Sequence, residues 1–281
     1  MSRLANNPKN PQFHVKNYLN SIKDELQNKI VLDIPAGDGV ISEILLKIDA
    51  KVEAYDLFPE FFILKEIPCK RADINDKIPV IDSYADMLIC VEGIEHFSDQ
   101  LKAFKEFNRV LKNGANLLIT TPSLTNLAAK LNYLLFESES ITQMPPNEIN
   151  DIWMPNDLNI KEYYYGHLFL IGLQKLRIIS KLAGFNIKEI KYLRISRASL
   201  LLFPFLYPFI LISSFYRYYR NLRKRKEIVK SVKINVYNEQ LKININPKSL
   251  LYKHVFVIFE KEKAYNDVDF RLNRLVKRKE K

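Results

Sequence analysis

Apolar positions along the chain switch between short continuous runs and stripes at helical spacing. Val15, Tyr18, Leu19, Ile22 and Leu26 form a helical stripe. Residues 30–32 are an apolar run that meets Asp33, followed by a turn-forming stretch with Gly37 and Gly39, after which residues 40–48 return to helical spacing. That order predicts strand, glycine loop, helix. Residues 52–55 are a second short apolar strand, closed by Asp56. Strands and helices go on alternating to Pro122, which requires a mostly parallel sheet with its ligand at the carboxyl ends of the strands. Asp33, Asp56, Asp73 and Glu92 all fall at such ends. Carboxylates with purely structural roles have no reason to gather along one edge.

The chemistry of the loop follows from its glycines. Without a Cβ, Gly37 and Gly39 let backbone N–H groups come close to a ligand. Asp33 can accept hydrogen bonds from the loop or from a ligand amine. Asp56 lies about 20 residues beyond the glycines, where a nucleotide-binding α/β unit places a carboxylate on the ribose hydroxyls.

Further motifs follow in order: Lys70-Arg71-Ala72-Asp73; an apolar run over 84–90 carrying Asp86; Val91-Glu92-Gly93-Ile94-Glu95-His96; a helix and Gly-terminated turn over 104–114; and a strand over 116–122. As an ordered set, from about residue 20 to 125, they resemble the class I S-adenosylmethionine-dependent methyltransferases. Weaker echoes stand at 166–185 and 254–259. The resemblance implies an α/β, Rossmann-like fold: a seven-stranded, mostly parallel sheet flanked by helices, with insertions after the fifth strand and between the sixth and seventh. It implies S-adenosylmethionine as cofactor and S-adenosylhomocysteine as product. Asp33, Ala36, Gly37 and Gly39 would seat the amino-acid end, Asp56 the ribose, and Asp73 with Ile74 the adenine. Leu57, Val91 and Glu92 complete the implied cofactor-binding set. One position departs from the pattern: the family's first loop glycine is here Pro35, which removes one N–H from the loop.

Two histidines are candidates for the acceptor side. His167, in Gly166-His167-Leu168, stands first, to deprotonate or orient a hydroxyl; a capping histidine is the structural alternative. His96 stands second, because in related enzymes the matching Glu-His pair mostly shapes the site. Glu92, Glu95 and His96 could also simply cap the next helix, and Asp73 could be a turn residue.

The expected organisation is an N-terminal segment and helix over the cofactor site (1–28), a cofactor-binding core (29–122), a lid or substrate insertion (123–165), the rest of the sheet (166–262) and a basic tail (263–281). The lid carries an apolar helix-like piece over 127–136, the single Trp153 and the triplet Tyr163-Tyr164-Tyr165, suited to walling an acceptor. Within 166–262, residues 186–195 and 254–259 suit two more strands. Between them, residues 198–215 carry no charge and include Pro204 and Pro208, with Arg194 and Arg197 before and a basic cluster over 217–226 after. Spanning a bilayer would separate two strands of one sheet. A helical or kinked hairpin dipping into one leaflet fits both features, and an apolar helix covering the protein's own core or a dimer interface is the alternative.

Composition narrows the picture. With 281 residues, 47% hydrophobic and 27% charged, the chain is one globular domain with an appendage. The net charge of +11 suits an anionic membrane surface, nucleic acid or an anionic substrate. No RNA-binding module is recognisable, so nucleic acid is not expected as a partner. Two cysteines, Cys69 and Cys90, imply neither a disulfide framework nor a metal set. Residues 1–12 are polar, so no signal peptide and cytoplasmic residence are expected. The resulting expectation is methyl transfer, to oxygen first, onto a small-molecule, glycan or lipid-linked acceptor at the cytoplasmic membrane face. A soluble enzyme using 198–215 for packing, and a catalytically silent cofactor-binding protein, are the alternatives.

Overall fold

The computed structural model describes residues 4–138, 140, 143–154 and 163–269. Helices α1 (Pro11–Ser21) and α2 (Lys23–Leu26) lead into β1 (Ile30–Asp33); α3 (Val40–Leu46), β2 (Lys51–Asp56) and β3 (Cys69–Arg71) follow. Next come β4 (Ala85–Val91), α4 (Gln100–Val110), β5 (Leu111–Pro122), α5 (Leu127–Phe136), the two-residue strands β6 (Ile152–Trp153) and β7 (Tyr164–Tyr165), and α6 (Leu173–Leu182). The chain continues through β8 (Phe185–Ile195), α7 (Arg197–Arg223), α8 (Lys230–Ile245), α9 (Pro247–Leu251) and β9 (Tyr252–Lys261).

Seven strands form one mostly parallel sheet, as the resemblance implies; their order is β3-β2-β1-β4-β5-β9-β8, and only β9 runs antiparallel to its neighbours. The strand order reverses between β1 and β4, which leaves a crevice at their carboxyl ends. One face of the sheet packs on Phe104, Phe107, Phe185 and Phe259, and the other on Val15, Leu19, Ile44 and Leu45. Helix α1 lies on this second face beside α3, with Tyr18 edge-on to Phe256 of β9 at 5.4 Å.

Four expectations change in detail. Residues 111–114 belong to β5 rather than to a helix end, because Leu111 pairs with Ala85 across the sheet. The lid region, read as free of strands, contains the β6/β7 hairpin, with Ile152 opposite Tyr165. Residues 198–215 lie inside one continuous helix, α7, rather than a hairpin. Pro204 and Pro208 cannot bond the carbonyls of Leu200 and Pro204, yet the helix runs on past both. Residues 230–245, which had no expected element, form α8 beside α7. The basic tail over 270–281, and 155–162 within the lid, lie outside the described residues.

Helix α7 is tied to the body along its inner side. Ser196 caps its start by accepting from the Ser199 N–H. Tyr207 donates to the Ile245 carbonyl at 3.0 Å, and Asn244 Nδ2 donates to Ser214 Oγ at 2.7 Å. At its end, buried Lys233 donates to the carbonyls of Leu222, Lys224 and Arg225, gathering the last turn and the residues just past it.

The turn into β8 depends on Gly184, at φ +83°, where a Cβ would lie 2.4 Å from the Lys263 carbonyl oxygen. Its own carbonyl accepts from the N–H of Glu262, clamping β8 to the end of β9. Gly184→Ala is expected to lower stability by about 1–3 kcal/mol in urea unfolding. An unchanged midpoint would mean that this turn does not bear on the sheet.

Candidate cofactor and acceptor site

A cavity of about 310 Å³ opens at the carboxyl ends of β1, β2 and β4, at the reversal of strand order. Its floor is the loop between β1 and α3. That loop is held by the Ala36 N–H on the Tyr55 carbonyl (2.9 Å) and by the Gly37 N–H on Asp56 Oδ2 (2.8 Å). The other Asp56 oxygen accepts from the Phe58 N–H at 2.9 Å. One carboxylate thus fixes two loops, and its remaining lone pairs are available to hydroxyls of a ligand. Gly37, at φ +53°, has no atom within 4 Å of where a Cβ would stand, so the backbone there is open to a ligand.

Of the sequence-derived cofactor set, Ala36, Gly37, Asp56, Leu57, Asp73, Ile74, Val91 and Glu92 line the cavity. Asp33 and Gly39 do not, which corrects their expected direct contact. Asp33 is buried beneath the loop, where Oδ2 accepts from Ser42 Oγ at 2.7 Å and Oδ1 has no protein partner. Gly39 begins α3 and turns its N–H back to the Ala36 carbonyl; a Cβ there would meet the Phe62 ring at 2.9 Å. Asp73 Oδ1 closes a turn on the Asn75 N–H, so its turn role and its place in the wall coexist.

Pro35 is accommodated by a residue that sequence reasoning passed over. A Cβ on Gly93 would stand 2.3 Å from Pro35 Cδ and 3.0 Å from Cys90 Sγ. The proline in the first loop thus requires glycine after β4. Glu92, at φ +48°, is aimed by Thr120 Oγ1 at 2.9 Å and by His254 Nε2 at 3.2 Å.

On the opposite wall stands His96, while His167 lies behind it with ring centroids 5.7 Å apart and does not line the cavity. The His96 Nδ1 is 2.5 Å from the Tyr165 carbonyl and 3.0 Å from that of Gly166. Two carbonyl acceptors require a proton on Nδ1, which leaves the lone pair on Nε2, 3.4 Å from the Tyr164 hydroxyl. Burial, with His167 nearby, holds the His96 imidazole below its ordinary pKa, so it is neutral at neutral pH. Beneath it Glu95 is buried, one oxygen accepting from Thr121 Oγ1 and the other without a protein partner. Glu95, His96 and His167 bring one ligand atom each within 4.8 Å, a grouping able to share a proton or to hold a cation.

The hairpin supplies an aromatic wall. Trp153 is stacked between Phe58 (5.4 Å) and Tyr164 (4.7 Å), and Tyr164 in turn meets His96 at 4.9 Å. Flat rings with polar tips at the mouth of a cavity suit a planar, partly apolar molecule. The hairpin was beyond reach of the sequence because its strands are too short to show alternation.

Comparison with known proteins agrees with this geometry. Residues 32–119 match the family model described as a methyltransferase domain. The chain is similar to demethylmenaquinone methyltransferase of Chlorobaculum parvum, 31% identical over 121 residues, 41% of this chain and 50% of that protein. It is also similar to ubiquinone biosynthesis O-methyltransferase of Xanthomonas campestris, 26% identical over 140 residues, 46% of this chain and 58% of the relative. It thus spans about half the length of the curated relatives it matches. The fold is shared with a SAM-dependent methyltransferase from Archaeoglobus fulgidus, with a TM-score of 0.51 and 16% identity over 92% of this chain and 97% of that one.

Two buried carboxyls make stability depend on pH. Burial, reinforced by Asp56 and Asp38, pushes Asp33 from 3.8 up to about 7; burial, reinforced by Glu92, pushes Glu95 from 4.5 up to about 8. A folded state that holds extra protons loses stability as pH rises, here from above pH 3.8 until about pH 8. Urea midpoints of the ligand-free protein are expected to fall across that window, and Asp33→Asn with Glu95→Gln to flatten the slope. An equal slope in the double variant would contradict the assignment.

Proposed function

We propose that this chain, which carries a class I S-adenosylmethionine-dependent methyltransferase domain, methylates a hydroxyl of a small-molecule acceptor. The observation that carries the reading is the meeting of Asp56, Asp73 and Glu92 with a tethered glycine loop on one wall and the Nε2 of a neutral His96 on the other. The residues present suit S-adenosylmethionine. Asp56 keeps lone pairs for the ribose diol, Asp73 and Ile74 would hold the adenine, and Gly37 leaves backbone open to the amino-acid end. Buried Asp33 lies beneath that loop, bonded to Ser42 of α3, and acts on the amino-acid end only from below the wall. When bound, the cofactor supplies a methyl group activated by a positively charged sulfur.

The protein's own part is alignment and proton removal. His96, fixed by two carbonyls, orients its lone pair into the cavity and takes the proton of the acceptor hydroxyl. Tyr164 steers that hydroxyl, and the carbonyls of Tyr165 and Gly166, which accept from Nδ1–H, favour the imidazolium that forms. His96 therefore replaces His167 as the first candidate for the base. The stacked Phe58, Trp153 and Tyr164 favour an acceptor with a planar apolar part, in keeping with the quinone-related names of the similar proteins. A lipid-linked acceptor reached at the cytoplasmic membrane face gives the exposed apolar helix α7 a use; a glycan acceptor finds less support in so aromatic a wall. Pro35, which withholds an N–H, favours the second reading, a cofactor-binding protein without turnover.

The test is transfer of a labelled methyl group from S-adenosylmethionine into cell extract, split into lipid-soluble and aqueous fractions. Label is expected in the lipid-soluble fraction, with His96→Ala lowering the rate by about a hundredfold or more and His167→Ala by less. Activity should fall as pH drops below the ordinary imidazole value of 6.5, where His96 gains a proton. Full turnover in His96→Ala would remove the base, and absence of label with the unaltered protein would favour the silent reading.

A further inference from the structure

Helix α7 is apolar on both sides. Its inner face carries the half-buried Leu202, Phe203, Ile210 and Leu211, together with Ser199, Tyr207 and Ser214, which are hydrogen-bonded to the body. Its outer face carries Leu201, Phe205, Phe209 and Ile212, exposed at 74%, 72%, 71% and 70%. These follow each other at spacings of four, four and three, one stripe of a helix, continued by Tyr216 and Tyr219. A helix folded against water carries polar residues on that outer stripe. Beside it, Leu134 and Leu135 of α5 are also exposed, and an apolar groove of about 630 Å³ runs between the two helices. Among the described residues nothing covers this surface.

We propose that the outer faces of α7 and α5 seat the protein in the plane of an anionic phospholipid surface. Charge selects this occupant. No acidic residue occurs from 190 to 226, while Arg197 precedes the stripe and Arg217, Arg220, Arg223 and Lys224 follow it, all exposed. A second copy pairing through α7 would bring basic ends against basic ends, whether the helices ran parallel or antiparallel. Anionic headgroups around an apolar stripe satisfy both halves of the pattern. Length and composition would also permit a crossing, but the inner face is bonded to α5 and α8, and crossing would take the lysines of α8 into hydrocarbon.

The placement also connects to the cavity. Both β5 and β8 run antiparallel to β9, so they end at the same edge of the sheet, and α5 and α7 start from that edge. Docking would thus turn the edge that holds the site toward lipid. The inference deepens the membrane-face part of the proposed function and rests on it only for the route of the acceptor.

The experiment is flotation of the full chain with phosphatidylcholine vesicles, with and without phosphatidylglycerol, at low and high salt. It is repeated with a variant carrying Leu201→Gln, Phe205→Gln, Phe209→Gln and Ile212→Gln, four exposed positions outside the cavity. The unaltered protein is expected to float with anionic vesicles and less at high salt. The variant should partition about tenfold or more weakly while still binding S-adenosylmethionine. Absence of flotation, or equal flotation of the variant, overturns the proposal. So does a lipid-free dimer of the unaltered protein that the variant dissolves, since a second copy would then cover the face. Flotation without methyl transfer to any fraction would leave the docking surface standing and overturn the functional reading instead.

Discussion

The Asp56 carboxylate is the constraint on which the site depends. By accepting from the N–H groups of Gly37 and Phe58 it ties the loop after β1 to the end of β2, across 19 residues of sequence. The loop after β1 has no regular structure of its own to hold it, and the one after β2 has a single 3-10 turn, Pro59–Phe61. The sheet supplies the rest: β1 and β2 run in register, with Asp33 beside Ala54, so both loops leave at the same level. Two lone pairs of the carboxylate are spent inside the protein, and the others face the cavity. The group proposed to meet the ribose is thus the same one that holds the two loops together.

The acceptor side is organised by burial rather than by tethering. His96 is held through the backbone carbonyls of Tyr165, the last residue of β7, and of Gly166 beyond it, so the hairpin that walls the cavity also sets the tautomer of the imidazole. Placing Trp153 between Phe58 and Tyr164 links this hairpin to the loop after β2. Cofactor wall and acceptor wall thus meet through rings. The buried Glu95 beneath keeps the region able to exchange a proton near neutral pH, where exposed carboxyls no longer can.

Much of the fold was legible because its signals are local. Short apolar runs ending in Asp33 and Asp56, and the continuous apolar run within β9, announce strands without reference to anything distant. What stayed hidden is set by contact between remote residues. Gly93 must be glycine only because Pro35 lies against it. Helix α8 has no apolar stripe: Val232, Ile234 and Val236 alternate as a strand would, and packing on α7 overrides that pattern. The order of the two histidines could not be read either, since both lie in loops and only the fold decides which one reaches the cavity. Asp33 was found as a strand-end carboxylate, but that it lies under the loop rather than in the wall is a matter of depth, which sequence does not encode.

The central claim is that S-adenosylmethionine occupies the cavity held together by Asp56. Calorimetric titration of the cofactor into the unaltered protein and into Asp56→Ala tests it most directly. The account predicts one binding site in the unaltered protein and an affinity at least about tenfold weaker in the variant, with a urea transition that remains cooperative. Equal affinity in a folded Asp56→Ala protein would contradict it.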